Sequence, residues 1–303
     1  MIKTWQKWFV CIFATIFVSV FFVYDAMFIQ GNKASTTPPI NAETSNEEEL
    51  IAPEITPIIP ETPKEEEEEQ EDTLTLPNYT NGYACMTDAF NRLKQEKYYT
   101  YSYSSSGTSL GVVQKIKGVK YYSGSNFGSE VFAYCDSSFG KCFYERITSP
   151  DMQTYNYIKT TNINSNYKYS LSGALNTTLT NEQLISLVGP YRTQIISLRP
   201  VKGIDKQAKF DKTSDKNYYI CSFVFSVNNL PAAYLKDIKR ESGASSVTHS
   251  YLQINFYVSK TTGQIAKIEH SESYEIDIGI KLNITYYQTA TLTIYKQPFE
   301  IKF

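Results

Sequence analysis

The chain has 303 residues, of which 42% are hydrophobic and 20% charged, with a formal net charge of -2. That balance is ordinary for a globular protein and excludes a wholly disordered one. The 15% aromatic content, 25 Tyr among it, favours strands over helices, and only two His are available for catalysis or metal binding.

Lys3 and Lys7 introduce an apolar run over residues 8–23, and no other stretch of the sequence could enter a bilayer. Extension through residues 24–29 brings it to the roughly 20 residues that a spanning helix needs, although Asp25 interrupts its far end. The basic flank predicts a cytoplasmic N-terminus and a translocated remainder, so that residues 1–30 act as a signal anchor of a single-pass cell membrane protein. The alternative is a secreted protein released by cleavage after Ala26, where Tyr24 fits the small-residue requirement poorly.

Residues 31–77 read as a disordered acidic linker. Pro38, Pro39, Pro53, Pro57, Pro60 and Pro63 break regular structure, and the glutamates of 47–49 and 65–69 repel one another. Charge is segregated: residues 1–42 carry +2, residues 43–72 carry -12 and the rest +8. The basic C-terminal part suits anionic lipid or an anionic wall polymer as partner. Translocation argues against nucleic acid.

Residues 78–303 are long enough for one β-rich domain with its own core. A helix is expected over 83–95, with Ala84, Ala89, Phe90 and Leu93 on one face. Residues 98–104 follow as a strand on which Tyr99, Tyr101 and Tyr103 alternate with polar residues. Short strands are expected at 112–116, 120–122, 131–135 and 141–146, with weaker signals at 153–160 and 167–170. Residues 181–188 form a helix capped by Thr180 or Asn181 and stopped at Gly189-Pro190. Strands follow at 193–198 and 218–227, the second with Tyr219, Cys221, Phe223, Phe225 and Val227 on one face. Asn229 and Pro231 start a helix running to about 241. Residues 250–258 and 264–278 form a hairpin with Gly263 at positive φ. Strands at 281–286 and 290–295 close the chain. The fold class is α+β: a mainly antiparallel sheet with a few helices covering one face.

Outside the apolar run the cysteines are Cys85, Cys135, Cys142 and Cys221. Cys135 and Cys142 bracket a turn-like segment on what would be adjacent strands. An extracytoplasmic location permits a bridge between them. A second bridge, Cys85 to Cys221, would pin the first helix to the central strand. Four cysteines allow three pairings, and buried free thiols remain the alternative for Cys85 and Cys221. No metal site or cofactor is expected.

Catalytic patterns are sparse. His270 and Glu272 share a strand face and are the only acid–base pair worth testing, while His249 sits at a loop-to-strand junction. Two S-x-x-K matches, at Ser138 and Ser165, lack the companion motifs of that enzyme class. The chain is therefore expected not to be an enzyme.

Three segments carry a family resemblance: CMTDAFNRLKQEKYYTYSY from Cys85, LPAAYLKDIK from Leu230 and YLQINFYVSKTTGQIAKIE from Tyr251. Their order resembles the LolA-like superfamily of lipoprotein carriers, which includes LprG-like glycolipid-binding and RseB-like sensor proteins. The anchor, acidic linker and cysteines depart from that pattern. The resemblance implies a curved half-barrel with helices over its concave face and a lipid or other apolar ligand between them. The cleft-facing candidates are then Tyr99, Tyr101, Tyr103, Phe223, Phe225, His270 and Tyr274. The competing expectation is an envelope sensor or interaction module that has no ligand cavity.

Overall fold

The computed structural model describes residues 79–135, 137, 142–189, 208–212 and 215–303. The apolar run, the acidic linker and the strand expected at 193–198 lie outside the described residues. Among the described residues no helix is long and apolar enough to cross a membrane. Residues Glu48–Phe303 make one structural unit.

The described chain opens with helix α1 (Gly82–Leu93), whose Asn81 side chain accepts the Ala84 N–H at 2.9 Å. This cap satisfies one of the amides that a helix start leaves without a partner. Cys85, Met86, Ala89, Phe90 and Leu93 form the buried stripe of α1. A meander follows: β1 (Tyr98–Ser109), β2 (Val112–Ser123), β3 (Asn126–Cys135), β4 (Phe143–Ser149), β5 (Thr154–Thr160) and β6 (Leu175–Thr180). Helix α2 (Asn181–Val188) starts on a reciprocal cap: Thr180 Oγ1 accepts the Gln183 N–H, and Gln183 Oε1 accepts the Thr180 N–H. After β7 (Ala208–Asp211) and β8 (Tyr218–Val224), a 3-10 turn at Val227–Asn229 leads into α3 (Ala232–Ser242). That turn places the N-cap position of α3 at Pro231 rather than at the expected Asn229. Strands β9 (Ser246–Ser259), β10 (Ile265–Asp277) and β11 (Lys281–Ile294) complete the fold.

All eleven strands join one antiparallel sheet in the order β6-β5-β4-β3-β2-β1-β11-β10-β9-β8-β7. The first and last strands among the described residues, β1 and β11, pair in its middle, from Tyr99 opposite Ile294 to Thr108 opposite Thr285. The sheet is curved and does not close; its outer strands have six and four residues against twelve to fourteen at the centre. The antiparallel sheet with a few helices on one face agrees with the fold class expected from the sequence. Strands expected as separate pieces at 112–116 and 120–122, and at 281–286 and 290–295, are continuous. Residues 167–170 make only a single bridge, Ile163 to Tyr169.

The concave face carries the main core. Tyr99, Tyr101, Phe223, Leu252, Ile254, Phe256, Ile268, Ala290 and Leu292 pack there against α1. A second cluster joins Phe127, Ile147, Tyr155 and Tyr157 to Leu184 and Val188 of α2. On the convex side the C-terminal residues lie over β2 and β3. The Tyr121 and Phe303 rings meet edge to face at 5.7 Å, and Ser123 Oγ both donates to Phe299 O and accepts its N–H.

The disulfides expected at Cys135–Cys142 and Cys85–Cys221 are not formed; all four thiols are free. The hairpin does bring Cys142 to Cys135, but its sulfur rests on the Cys135 backbone, 3.3 Å from the N–H and 3.4 Å from the carbonyl. The other expected pair also meets. Cys221 hydrogen-bonds Cys85, and that contact together with burial pushes the Cys221 thiol well above its usual pKa.

Candidate functional site

Two features of the concave face stand out from its apolar packing. The first is a polar cluster on β9, β10 and α3. Glu272 stands on β10, 5% exposed, opposite Leu252 on β9 and Tyr286 on β11. Tyr234 of α3 donates its hydroxyl to Glu272 Oε2 at 2.5 Å. His249 Nε2 donates to the same oxygen at 3.0 Å. His270 Nε2 lies 3.8 Å from Glu272 Oε1. Both histidines of the chain thus face one buried carboxylate.

A backbone irregularity makes this possible. Pairing between β9 and β10 slips by one residue at Ser273/Tyr274, so Tyr251 faces Ser273 while His249 faces Tyr274. The β-bulge turns His249 onto the face shared by Leu252 and Ile254, where strict alternation would place Ser250. The His249 ring then lies 5.0 Å from the Tyr274 ring and 5.8 Å from the Tyr234 ring.

The electrostatics follow from burial. Desolvation works against a charged Glu272, but nearby His270 and the hydrogen bonds from His249 and Tyr234 outweigh it, holding the carboxyl below its usual range. Burial pushes His270 down, against the pull of Glu272, with His249 adding to the depression. Burial, then Glu272, drives the Tyr234 phenol well above 10.0. The cluster therefore holds a carboxylate beside a neutral His270 at neutral pH. Among the described residues His249 Nδ1 and His270 Nε2 have no hydrogen-bond partner. Among the described residues no group of His, Cys, Asp and Glu is arranged to hold a metal ion.

The second feature is a cavity of about 160 Å³ between α2 and the β2–β5 half of the sheet. Tyr122, Phe127, Ile147, Met152, Tyr155 and Leu184 supply its apolar lining, with Lys120, Ser129 and Asn181 as polar points. A cavity of about 150 Å³ admits a benzene-sized molecule, whereas drug-sized ligands need roughly 300 Å³ or more. This one suits a small group or the end of a chain. Two hydrogen bonds link the two features across the helices: Arg240 Nη2 of α3 donates to Val188 O, the end of α2, at 2.7 Å, while Tyr234 on the same helix holds Glu272.

The residues expected to face a cleft are placed as follows. Tyr99, Tyr101, Phe223 and Phe225 are buried in the core under α1, and Tyr103 packs at its margin with its ring over Gly118. His270 and Tyr274 belong to the polar cluster. Sequence reasoning did not connect His249 and Tyr234 to Glu272, nor find the cavity. The inward-facing pair His270 and Glu272 was the one available signal.

Fold and site together define an open, curved antiparallel sheet with helices on its concave face and a polar cluster beneath them. No protein-family model matches the chain, and no curated protein is significantly similar to it. Among solved structures, the chain is similar to an S-type phycobiliprotein lyase of Guillardia theta, at 4% identity and a TM-score of 0.21, over 69% of this chain and 94% of that one. A DUF1329-family protein of Desulfovibrio piger matches at 9% identity and a TM-score of 0.24, over 72% and 93%. A β-barrel-like DUF1849 protein of Brucella abortus matches at 10% identity and a TM-score of 0.24, over 66% and 99%. Scores this low transfer no function.

Proposed function

We propose that the chain is a membrane-anchored, extracytoplasmic binding protein that holds a small amphiphile, or one end of a lipid, on the concave face of its sheet. The observation carrying this reading is the cavity under α2, whose apolar walls are punctuated by Lys120, Ser129 and Asn181. A few polar groups in an otherwise apolar recess orient a ligand without dominating its affinity. The LolA-like order of elements supports the same reading, and the apolar run over residues 8–23 supplies the anchor. No catalytic step is included. Native mass spectrometry of residues 48–303 should detect a co-purifying ligand that Ser129→Leu, filling the cavity from β3, expels. A ligand-free wild-type protein would sink the proposal.

One observation favours a second reading, an interaction or sensor module. The aromatic residues expected to line a cleft fill the space beneath α1, with Phe223 fully buried and Tyr101 4% exposed. An envelope protein or anionic wall polymer would then engage the outer surface of the domain, which carries +8 after residue 72.

A further inference from the structure

Two neighbouring hairpin turns at one end of the sheet differ in chemistry from two at the other end. At one end, β2 turns into β3 through Gly124-Ser125, and β9 into β10 through residues 260–264, Lys-Thr-Thr-Gly-Gln. At the other end, β1 turns into β2 on Leu110-Gly111, and β10 into β11 on Ile278-Gly279-Ile280. Because β1 pairs with β11 up to Thr108 opposite Thr285, the two aliphatic tips are neighbours, with the second projecting beyond the first.

Neither tip is explained by the fold. Leu110 is 75% exposed and holds a φ of 51°, with Gly111 at 80°. A two-residue hairpin turn with both φ positive prefers Asn-Gly or Asp-Gly, and a branched apolar side chain there costs strain without gaining contacts. Ile280 is 44% exposed and Val113, beside the first tip, 41%. Lys115 is exposed on β2, and Lys281 follows Ile280 directly, with its ammonium 2.8 Å from the Glu275 carboxylate.

We propose that this end of the sheet docks on an anionic lipid bilayer. The Leu110 and Ile280 tips enter the boundary between headgroups and acyl chains, Lys115 lies on the headgroup side, and Lys281 exchanges its Glu275 partner for a phosphate. A protein partner fits this end of the sheet less well. Two narrow projecting tips without Trp, Tyr or Arg lack the anchors and flat area of a stable protein interface. A bilayer surface is soft enough to accept tips of any outline, and aliphatic burial plus basic charge is what such a surface rewards. This inference does not depend on the N-terminal run acting as an anchor.

Residues 48–303 test it, since they form one unit and omit both the apolar run and the chain's two Trp residues. The fragment should co-sediment with vesicles of phosphatidylcholine and phosphatidylglycerol, and less with phosphatidylcholine alone. Leu110→Asn and Ile280→Asn should each weaken binding about tenfold, equivalent to about 1.4 kcal/mol. Leu110→Asn creates the preferred Asn-Gly turn, so its thermal stability should hold or rise, separating lost docking from lost folding. In Leu110→Trp, the single indole should shift to the blue on adding the mixed vesicles. A fragment that stays in the supernatant with both vesicle types overturns the proposal. So does a Leu110→Asn, Ile280→Asn double variant that binds as tightly as the parent.

Discussion

Replacing Glu272 with Gln tests the polar cluster most directly. The parent carboxylate accepts a 2.5 Å bond from Tyr234 and a 3.0 Å bond from His249 in a site 5% exposed. Hydrogen bonds to a buried charged group contribute about 1.5–3 kcal/mol each, so the two together contribute about 3–6 kcal/mol. Gln keeps one carbonyl acceptor, so the low end applies, about 3 kcal/mol. Since about 1 kcal/mol moves the midpoint of a domain this size by about 2–4 °C, the variant should melt roughly 6–12 °C lower.

The pH dependence has a definite sign. Glu272 is depressed when folded, so its stabilisation is present above the ordinary value of 4.5 and is lost as pH falls through the folded value. His270 is also depressed. The unfolded chain therefore takes up a proton near 6.5 that the folded chain refuses, and stability starts to fall below that point. Urea titrations of residues 48–303 at intervals between pH 8 and pH 3 should show both windows. His270→Gln should flatten the upper one, and the Glu272→Gln, Tyr234→Phe pair should show coupling in a double-mutant cycle. A Glu272→Gln loss below about 1 kcal/mol at pH 7.5, with an unchanged pH profile, would refute the reasoning.

Other outcomes follow from features away from the cluster. Thr180→Ala removes one half of the reciprocal cap on α2 and should cost about 1 kcal/mol in urea unfolding, with Thr180→Asn largely restoring it. Half-buried Cys142 should react with maleimide under native conditions well before Cys85 and Cys221, which should label only as fast as the domain opens; mass-resolved labelling checks the order. Gly128→Val should displace the C-terminal residues, because a side chain there meets Ile301 and Phe303; carboxypeptidase should then trim the variant faster than the parent.

Local chemistry accounts for what was legible in the sequence. The alternation of Tyr99, Tyr101 and Tyr103, the Thr180 cap and the Gly263 turn are signals carried by neighbouring residues, and each is found as read. Glycine inside a strand misled: Gly118 suggests a break in β2, yet it lies mid-strand and leaves room for the Tyr103 ring. The strands β6, Leu-Asn-Thr-Thr-Leu-Thr, and β7, Ala-Lys-Phe-Asp, went unread because edge strands bury little and need no strong alternation. The polar cluster was half legible. Parity on β10 puts His270 and Glu272 together, but His249 reaches them only through the bulge, and Tyr234 comes from a helix residue 38 positions before Glu272. Tertiary register decided both.

Helix α3 has one further consequence. Tyr234 near its start grips the carboxylate, and Arg240 near its end holds the terminal carbonyl of the helix that roofs the cavity. A proton taken up at His270 and any occupant of the cavity beneath α2 thus act on the same rigid rod. Where a lever has two handles, each must feel the other. Any change that acidification makes in the affinity for an occupant must be mirrored, factor for factor, in how strongly occupancy resists protonation.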